Sequence, residues 1–171
     1  MTDTPDPHGS TSPSDRRHAE VRRATADDIA ALVPLVCDYW VFEGLSGFDA
    51  SHVAGALAQL LSDGRLGAVW LARIDGAAVG YLIAVYVFSL EHLGLTAELD
   101  ELYVGPDHRA SGVGASLLRA AEAAAAEAGC TNVSLQLGRH NDGARRFYVR
   151  HGYSDRQGFD LLEKPFAPHP D

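Results

Sequence analysis

The chain has little with which to staple itself. Its two cysteines, Cys37 and Cys130, lie far apart and belong to no ligand-spaced cluster, which argues against a disulfide framework or a zinc site. Unpaired cysteines of this kind behave as small apolar residues and fit a reducing compartment. Positive charge is also scarce. The formal net charge is -9, so nonspecific attraction to nucleic acid is not expected. Long apolar runs are missing too: the longest, 77–90, is shorter than the ~20 residues that span a bilayer and reads as a buried strand. Residues 1–14 are polar and rich in Pro, Ser and Thr, so no secretory signal is read there. The expectation is a cytoplasmic protein with neither a membrane nor a nucleic acid as partner.

What is present supports a core. A chain of 171 residues at 46% hydrophobic composition buries enough apolar surface to fold as one domain. Residues 1–18 are the exception and read as a disordered tail; the folded domain is expected over 19–168. A short strand is expected at 20–24. Thr25 then caps a helix beginning at Ala26, with Asp27 and Asp28 in its first turn and Ile29, Leu32, Val33, Leu35 and Val36 as its apolar stripe. A second helix is expected over 50–61, followed by strands at 68–74, 78–89 and 97–104, the first two joined by Asp75-Gly76. An alanine-rich helix over 112–128, a strand over 132–137, a helix over 142–151 closed by Gly152, and a final strand within 153–163 complete a mixed α/β layer.

One stretch carries chemistry. In Glu98-Leu-Asp-Glu-Leu-Tyr-Val104-Gly-Pro106-Asp-His-Arg109-Ala-Ser-Gly112-Val-Gly114, a buried strand runs through a glycine-bearing loop into a helix. Free backbone N–H groups and the helix dipole converge at such a junction, so an anion is accommodated there. The bland alternative is a tight turn with no ligand. A dinucleotide fingerprint is excluded because its third glycine would fall on Leu117, and a P-loop is excluded because no Gly-Lys-Ser/Thr is present. What remains is Arg-x-x-Gly-x-Gly after a strand. Downstream stands Asn141-Asp-Gly-Ala144-Arg-Arg-Phe147-Tyr148, followed by Gly152-Tyr153.

Together these segments resemble the two signatures of the GNAT family of N-acetyltransferases, at the family's separation and over roughly residues 20–165. The resemblance implies a GNAT fold: a central mixed, mostly antiparallel sheet of six to seven strands flanked by about four helices. It implies acetyl-CoA as co-substrate, no metal, and an amine-bearing acceptor acetylated by direct transfer in a ternary complex. A homodimer is compatible with it. A CoA-binding regulatory module or pseudoenzyme is the alternative. Ala110 and Ser111 depart from the family, which usually has Gly and a basic residue there.

The resemblance also implies roles. Residues Arg109, Ala110, Ser111, Gly112, Val113, Gly114 and Ala115 would hold the CoA pyrophosphate, and Leu102, Tyr103 and Val104 the pantetheine arm, chiefly through the backbone. Asn141, Ala144 and Tyr148 would contact CoA from the last helix, with Asn141 also placed to cap it. Tyr148 matches the family's general acid; packing against Phe147 is its competing role. An amine of pKa near ~10.4 needs a base or a water relay at neutral pH, and the family draws on a carboxylate of the strand before the loop. Strict alternation groups Glu98 with Asp100, which are favoured for that role, and sends Glu101 to the other face unless a bulge turns it inward. Ordinary surface carboxylates are the competing reading. No histidine pair has metal-ligand spacing. Tyr39, Trp40, Glu43, Phe88, Glu91 and His92 are placed by the family layout near the acceptor.

Overall fold

The computed structural model describes residues 19–158 and 160–166, so the tail expected over 1–18 lies outside the described residues. The described residues up to Leu135 form one compact unit and those from Gln136 onward a second.

The first unit begins with strand β1 (Glu20–Arg23). Thr25 stops it: its N–H donates to Asp28 Oδ2 at 3.0 Å, and the Asp28 N–H donates to Thr25 O at 2.9 Å. This reciprocal cap opens a 3₁₀ turn over Ala26–Asp28, which leads into helix α1 (Ile29–Glu43). Helix α2 (Ala50–Ser62) is capped by Asp49, whose carboxylate accepts from the N–H groups of Ser51 and His52. Strands β2 (Gly67–Ile74) and β3 (Ala77–Ser89) meet through Asp75 and Gly76, at φ 51° and 81°. That pair of left-handed residues suits the twist of a hairpin. Strand β4 (Gly94–Val104) follows, then helix α3 (Val113–Glu127) and the short strand β5 (Val133–Leu135).

The sheet order is β1-β2-β3-β4-β5. All pairings are antiparallel except β4 with β5, which the α3 crossover makes parallel. Leu32, Leu35 and Val36 of α1 and Leu57 of α2 bury one sheet face, together with Val69, Leu71, Tyr81, Ile83 and Tyr103. Alternate residues Trp70, Ala72, Leu82, Ala84 and Leu99 are buried on the other face, where α3 packs across the strands with Val113, Leu117, Leu118, Ala121 and Ala125. A helix so rich in alanine keeps high intrinsic propensity while approaching the sheet closely.

The second unit contains helix α4 (Asp142–Arg150). The expected final strand is not formed: among the described residues of 153–166 no strand occurs, and Leu161 and Leu162 are exposed. Ser154, Asp155, Arg156 and Gln157 give that segment no alternating apolar face to bury. Among the described residues the sheet therefore has five strands, fewer than the six to seven expected, and β5 spans Val133–Leu135 rather than the whole of 132–137.

Candidate active site

The site is organised by an irregularity in β4. Ile83 of β3 pairs with Glu101, but its neighbour Ala84 pairs with Leu99, so Asp100 is an extra residue opposite none. A bulge of this kind shifts the phase of the strand by one residue. Paired residues share a face, so Glu98, opposite Val85, and Glu101, opposite Ile83, both lie on the side of Tyr81 and Tyr103. Alternation alone groups Glu98 with Asp100; the bulge substitutes Glu101. Asp100 is exposed, whereas Glu98 and Glu101 are half-buried.

Charge is unbalanced at this place. Lost hydration raises the Asp100 carboxyl, and the charge of Glu98 raises it further. Lost hydration raises Glu101 as well, with Asp100 adding to it, while a hydrogen bond from Tyr81 acts the other way. That bond runs from the Tyr81 hydroxyl to Glu101 Oε2 at 2.6 Å. Burial, then the Glu101 charge, drives the Tyr81 phenol far above its ordinary range. Tyr81 was not readable as a site residue: a single aromatic in an apolar strand gives no signal of which carboxylate it meets.

The outer edge of β4 is differently placed. Strand β5 pairs only with residues Ala97 to Leu99, so Asp100 to Val104 have no partner strand on that side among the described residues. Gly105 N–H donates to Val79 O across the β3 side. By alternation, the N–H groups of Leu102 and Val104 point to the outer edge. The Val104 carbonyl does too, and it accepts from Arg109 Nε at 2.9 Å. The Arg109 guanidinium lies 4.6 Å from the centre of the Phe42 ring and 5.6 Å from that of Tyr103. Its charge is thus turned back onto the end of β4 and α1. These residues, with Asp38, Val41 and Pro106, line a cavity of about 350 Å³. A larger cavity, about 600 Å³, lies between the β2–β3 turn and the loop, lined by Asp75, Val79, Asp107, His108, Ala110 and Ser111 among others. The smaller one reaches Tyr103 on the carboxylate-bearing face and is the better candidate for the acceptor. Of the residues that family layout places there, Tyr39 lies edge-on to Tyr103 at 6.3 Å, but Trp40 is turned against Phe48 at 5.6 Å, and Phe88 is exposed near the far end of the β3–β4 hairpin.

Between β4 and α3 the chain makes a 3₁₀ turn over Pro106–His108 and then two left-handed residues, Ala110 at φ 58° and Gly112 at φ 93°. The Ser111 hydroxyl donates to His108 O at 2.5 Å and braces the loop. Gly112 is the N-cap of α3 and has no side chain to cap it, so the N–H groups of Val113, Gly114 and Ala115 have no intrahelical acceptor. They and the helix dipole make an end that could hold an anion. Alanine pays a steric cost at φ 58° that glycine avoids. Ala110→Gly is therefore expected to raise stability by about 1 kcal/mol and Tm by about 2–4 °C, measured by thermal unfolding.

In the second unit, Asn141 Oδ1 accepts from the Ala144 N–H at 3.1 Å, which gives Asn141 the capping role and engages the Ala144 donor. Tyr148 is buried, edge-on to Phe147 at 5.2 Å and to Tyr153 at 5.4 Å. Burial pushes its phenol up to about 12. Gly152, at φ 91°, ends the helix, and Arg145 pairs with Asp155.

The model of the Acetyltransferase (GNAT) family matches residues 31–153. The chain belongs to the GNAT family. Over 141 residues it is 31% identical to the N-acetyltransferase YhfO of Bacillus subtilis, covering 81% of this chain and 92% of that protein. It is 31% identical over 134 residues to the aminoalkylphosphonate N-acetyltransferase of Salmonella typhimurium, covering 78% and 84%. Its fold matches that of an aminoglycoside N-acetyltransferase, AAC(6')-Iy, solved in complex with CoA, at a TM-score of 0.76 and 17% identity over 86% of this chain and 95% of that one. This GNAT protein is an N-acetyltransferase, an enzyme of acetyl transfer to amines. Among the described residues, no group of side chains could hold a metal ion, and no helix is long and apolar enough to cross a membrane.

Proposed function

We propose that this GNAT enzyme takes its acetyl group from acetyl-CoA and passes it directly to a cationic amine in a ternary complex. The observation that carries the proposal is β4 itself: its bulge puts Glu98 and Glu101 on one face, and its outer edge leads into the uncapped start of α3. The loop fits a diphosphate. A side chain at Gly112 would meet nothing within 4 Å, so there is room for a bulky group beside the N–H groups of Val113, Gly114 and Ala115. Arg109, Ala110 and Ser111 complete that end, while Leu102, Tyr103 and Val104 would hold the pantetheine arm, with the Leu102 and Val104 N–H groups as donors. Asn141, Ala144 and Tyr148 are assigned to CoA from the match of α4 to the family signature. That match and the reach of the family model support one acetyltransferase domain over 19–168.

Bound acetyl-CoA would supply the acetyl thioester. The chain supplies the rest. Glu98, Asp100, Glu101 and Asp38 make the acceptor side negative and suit an ammonium group. Glu101, its carboxyl raised by burial, is the leading acceptor of the amine proton at Oε1 or Oε2, because a base works best when its pKa approaches the operating pH; Glu98, on the same face, would hold the cation beside it. Tyr148 keeps its proton at Oη and is the donor on the leaving-group side. Direct transfer is supported by the cysteines: Cys37 and Cys130 are free, and burial raises the Cys130 thiol, which makes it a poor nucleophile. Two free cysteines also support a reducing, cytoplasmic setting.

The test is free thiol released from acetyl-CoA by the purified protein across spermidine, kanamycin, aminomethylphosphonate, lysine and an alanine-ended peptide. Release dependent on one amine is the expected result and names the acceptor class. No release with any of them, despite a clear rise in Tm with acetyl-CoA, would count against transfer to these amines.

A further inference from the structure

Tyr81 lies mid-strand in β3 with no exposed surface, so its hydroxyl requires a partner. The register places Tyr81 opposite Tyr103 and Ile83 opposite Glu101, which makes Tyr81 and Glu101 diagonal neighbours on one face. Were Asp100 paired regularly instead of bulged, alternation would send position 101 to the other face and the two groups could not meet. They do meet, at 2.6 Å between the hydroxyl and Oε2, within the range of hydrogen bonds to ionised oxygen.

We propose that Tyr81 is a positioning residue for the acetyl-transfer reaction: it holds Glu101 as a carboxylate, engages Oε2, and leaves Oε1 for the amine. The inference rests on the reading of Glu101 as the group that takes the amine proton.

The surroundings give Tyr81 this role because they otherwise oppose ionisation. From β4, Asp100 acts directly on Glu101, and Glu98 stands on the same face. From α1, Tyr39 acts on Tyr81, and Asp38 acts on Tyr103. All of these are neutral or anionic. Arg109, the nearby cation, is engaged by Val104 O and the rings of Phe42 and Tyr103. Among the groups found to act on Glu101, the Tyr81 phenol alone favours the charged form. Tyr81 cannot exchange roles with it, since burial and the adjacent carboxylate keep the phenol protonated.

The experiment is a carboxyl ¹³C NMR titration of Glu101 in the wild type and in Tyr81→Phe, which retains the ring against Tyr103. The Glu101 midpoint is expected to rise by about one pH unit in the variant. The acid limb of kcat/KM should rise with it, measured with acetyl-CoA and whichever of the five amines above is turned over. Below that limb the variant should be about tenfold slower, recovering at higher pH. In a Glu101→Gln background, Tyr81→Phe should change kcat/KM less than twofold. An unmoved midpoint overturns the inference. So does an equal loss at every pH that persists in the Glu101→Gln background, which would mark Tyr81 as structural only. If Tyr81→Phe fails to fold, the wild-type titration decides alone: a Glu101 carboxyl still protonated at pH 7 overturns the inference. Glu101→Gln with unchanged kcat/KM would instead remove the reading of Glu101 and the role of Tyr81 together.

Discussion

Tyr148→Phe is expected to lower kcat by about 10²–10³-fold while leaving the rise in Tm produced by acetyl-CoA unchanged. The substitution removes one hydroxyl and little else. Phenylalanine keeps the edge-on packing with Phe147 and Tyr153, and the hydrogen bond from Tyr153 N–H to the backbone carbonyl of residue 148 does not involve the side chain. Burial places the phenol at about 12, several units above the ~8.5 of an ordinary thiol. In the proposed role, Tyr148 would therefore act mainly by donating a hydrogen bond as negative charge gathers on the leaving sulfur, giving up its proton only late. Loss of one such donor sets the magnitude. The same ordering fixes a pH signature: kcat of the wild type should show no basic limb from Tyr148 below pH about 11. Steady-state kinetics and thermal shift on both proteins decide it. A variant within twofold of wild-type kcat would remove Tyr148 from the reaction.

Asp28→Ala should cost about 3 kcal/mol, the largest stability effect expected from a single polar residue in the first unit. Asp28 is 3% exposed. Its two oxygens accept from both terminal nitrogens of Arg22 at 2.7 Å, from Arg73 at 3.3 Å, and from the Thr25 N–H at 3.0 Å. One carboxylate thereby joins β1, β2 and the start of α1. Alanine leaves the Thr25 donor unpaired and two guanidinium groups without their anion; because Arg22 is partly exposed, water relieves some of that cost. The hydrogen bonds from Arg22, more than any other influence, hold the Asp28 carboxyl well below the usual carboxylate range. A group whose pKa is depressed on folding stabilises fully above its unfolded pKa of ~3.9 and loses that contribution as pH falls further. The Tm gap between wild type and Asp28→Asn should be constant from pH 7 to 5 and narrow below pH about 4. A gap that is equal at pH 3 and pH 7 would disprove the electrostatic account.

The elements that sequence alone disclosed are those fixed by short-range chemistry. Thr25 and Asp28 mark a helix start, Asp75-Gly76 a hairpin, Gly112 the entry to α3 and Gly152 the end of α4, and each depends on residues a few positions away. The turn that joins β4 to α3 was legible for the same reason. What escaped depended on distant partners. The bulge at Asp100 exists only relative to the register of β3, so alternation within β4 grouped the wrong pair of carboxylates. Tyr81 became recognisable only once that register placed it beside Glu101. Arg109 reads as a loop cation in sequence, but the free carbonyl of Val104 and the ring of Phe42 draw it back. Among the described residues the final strand did not form, because polar residues 154–157 gave it nothing to bury.

The extra residue in β4 makes the strand a phase slip between two half-strands of opposite parity. Substitution at position 100 changes one exposed side chain. Deletion of that position would leave Glu101 directly after Leu99 and still opposite Ile83, so Glu101 and Tyr103 would keep their face; what would go is the local kink and the Asp100 charge between Glu98 and Glu101. The position interrupts the alternation of the sequence while leaving that of the paired strand intact.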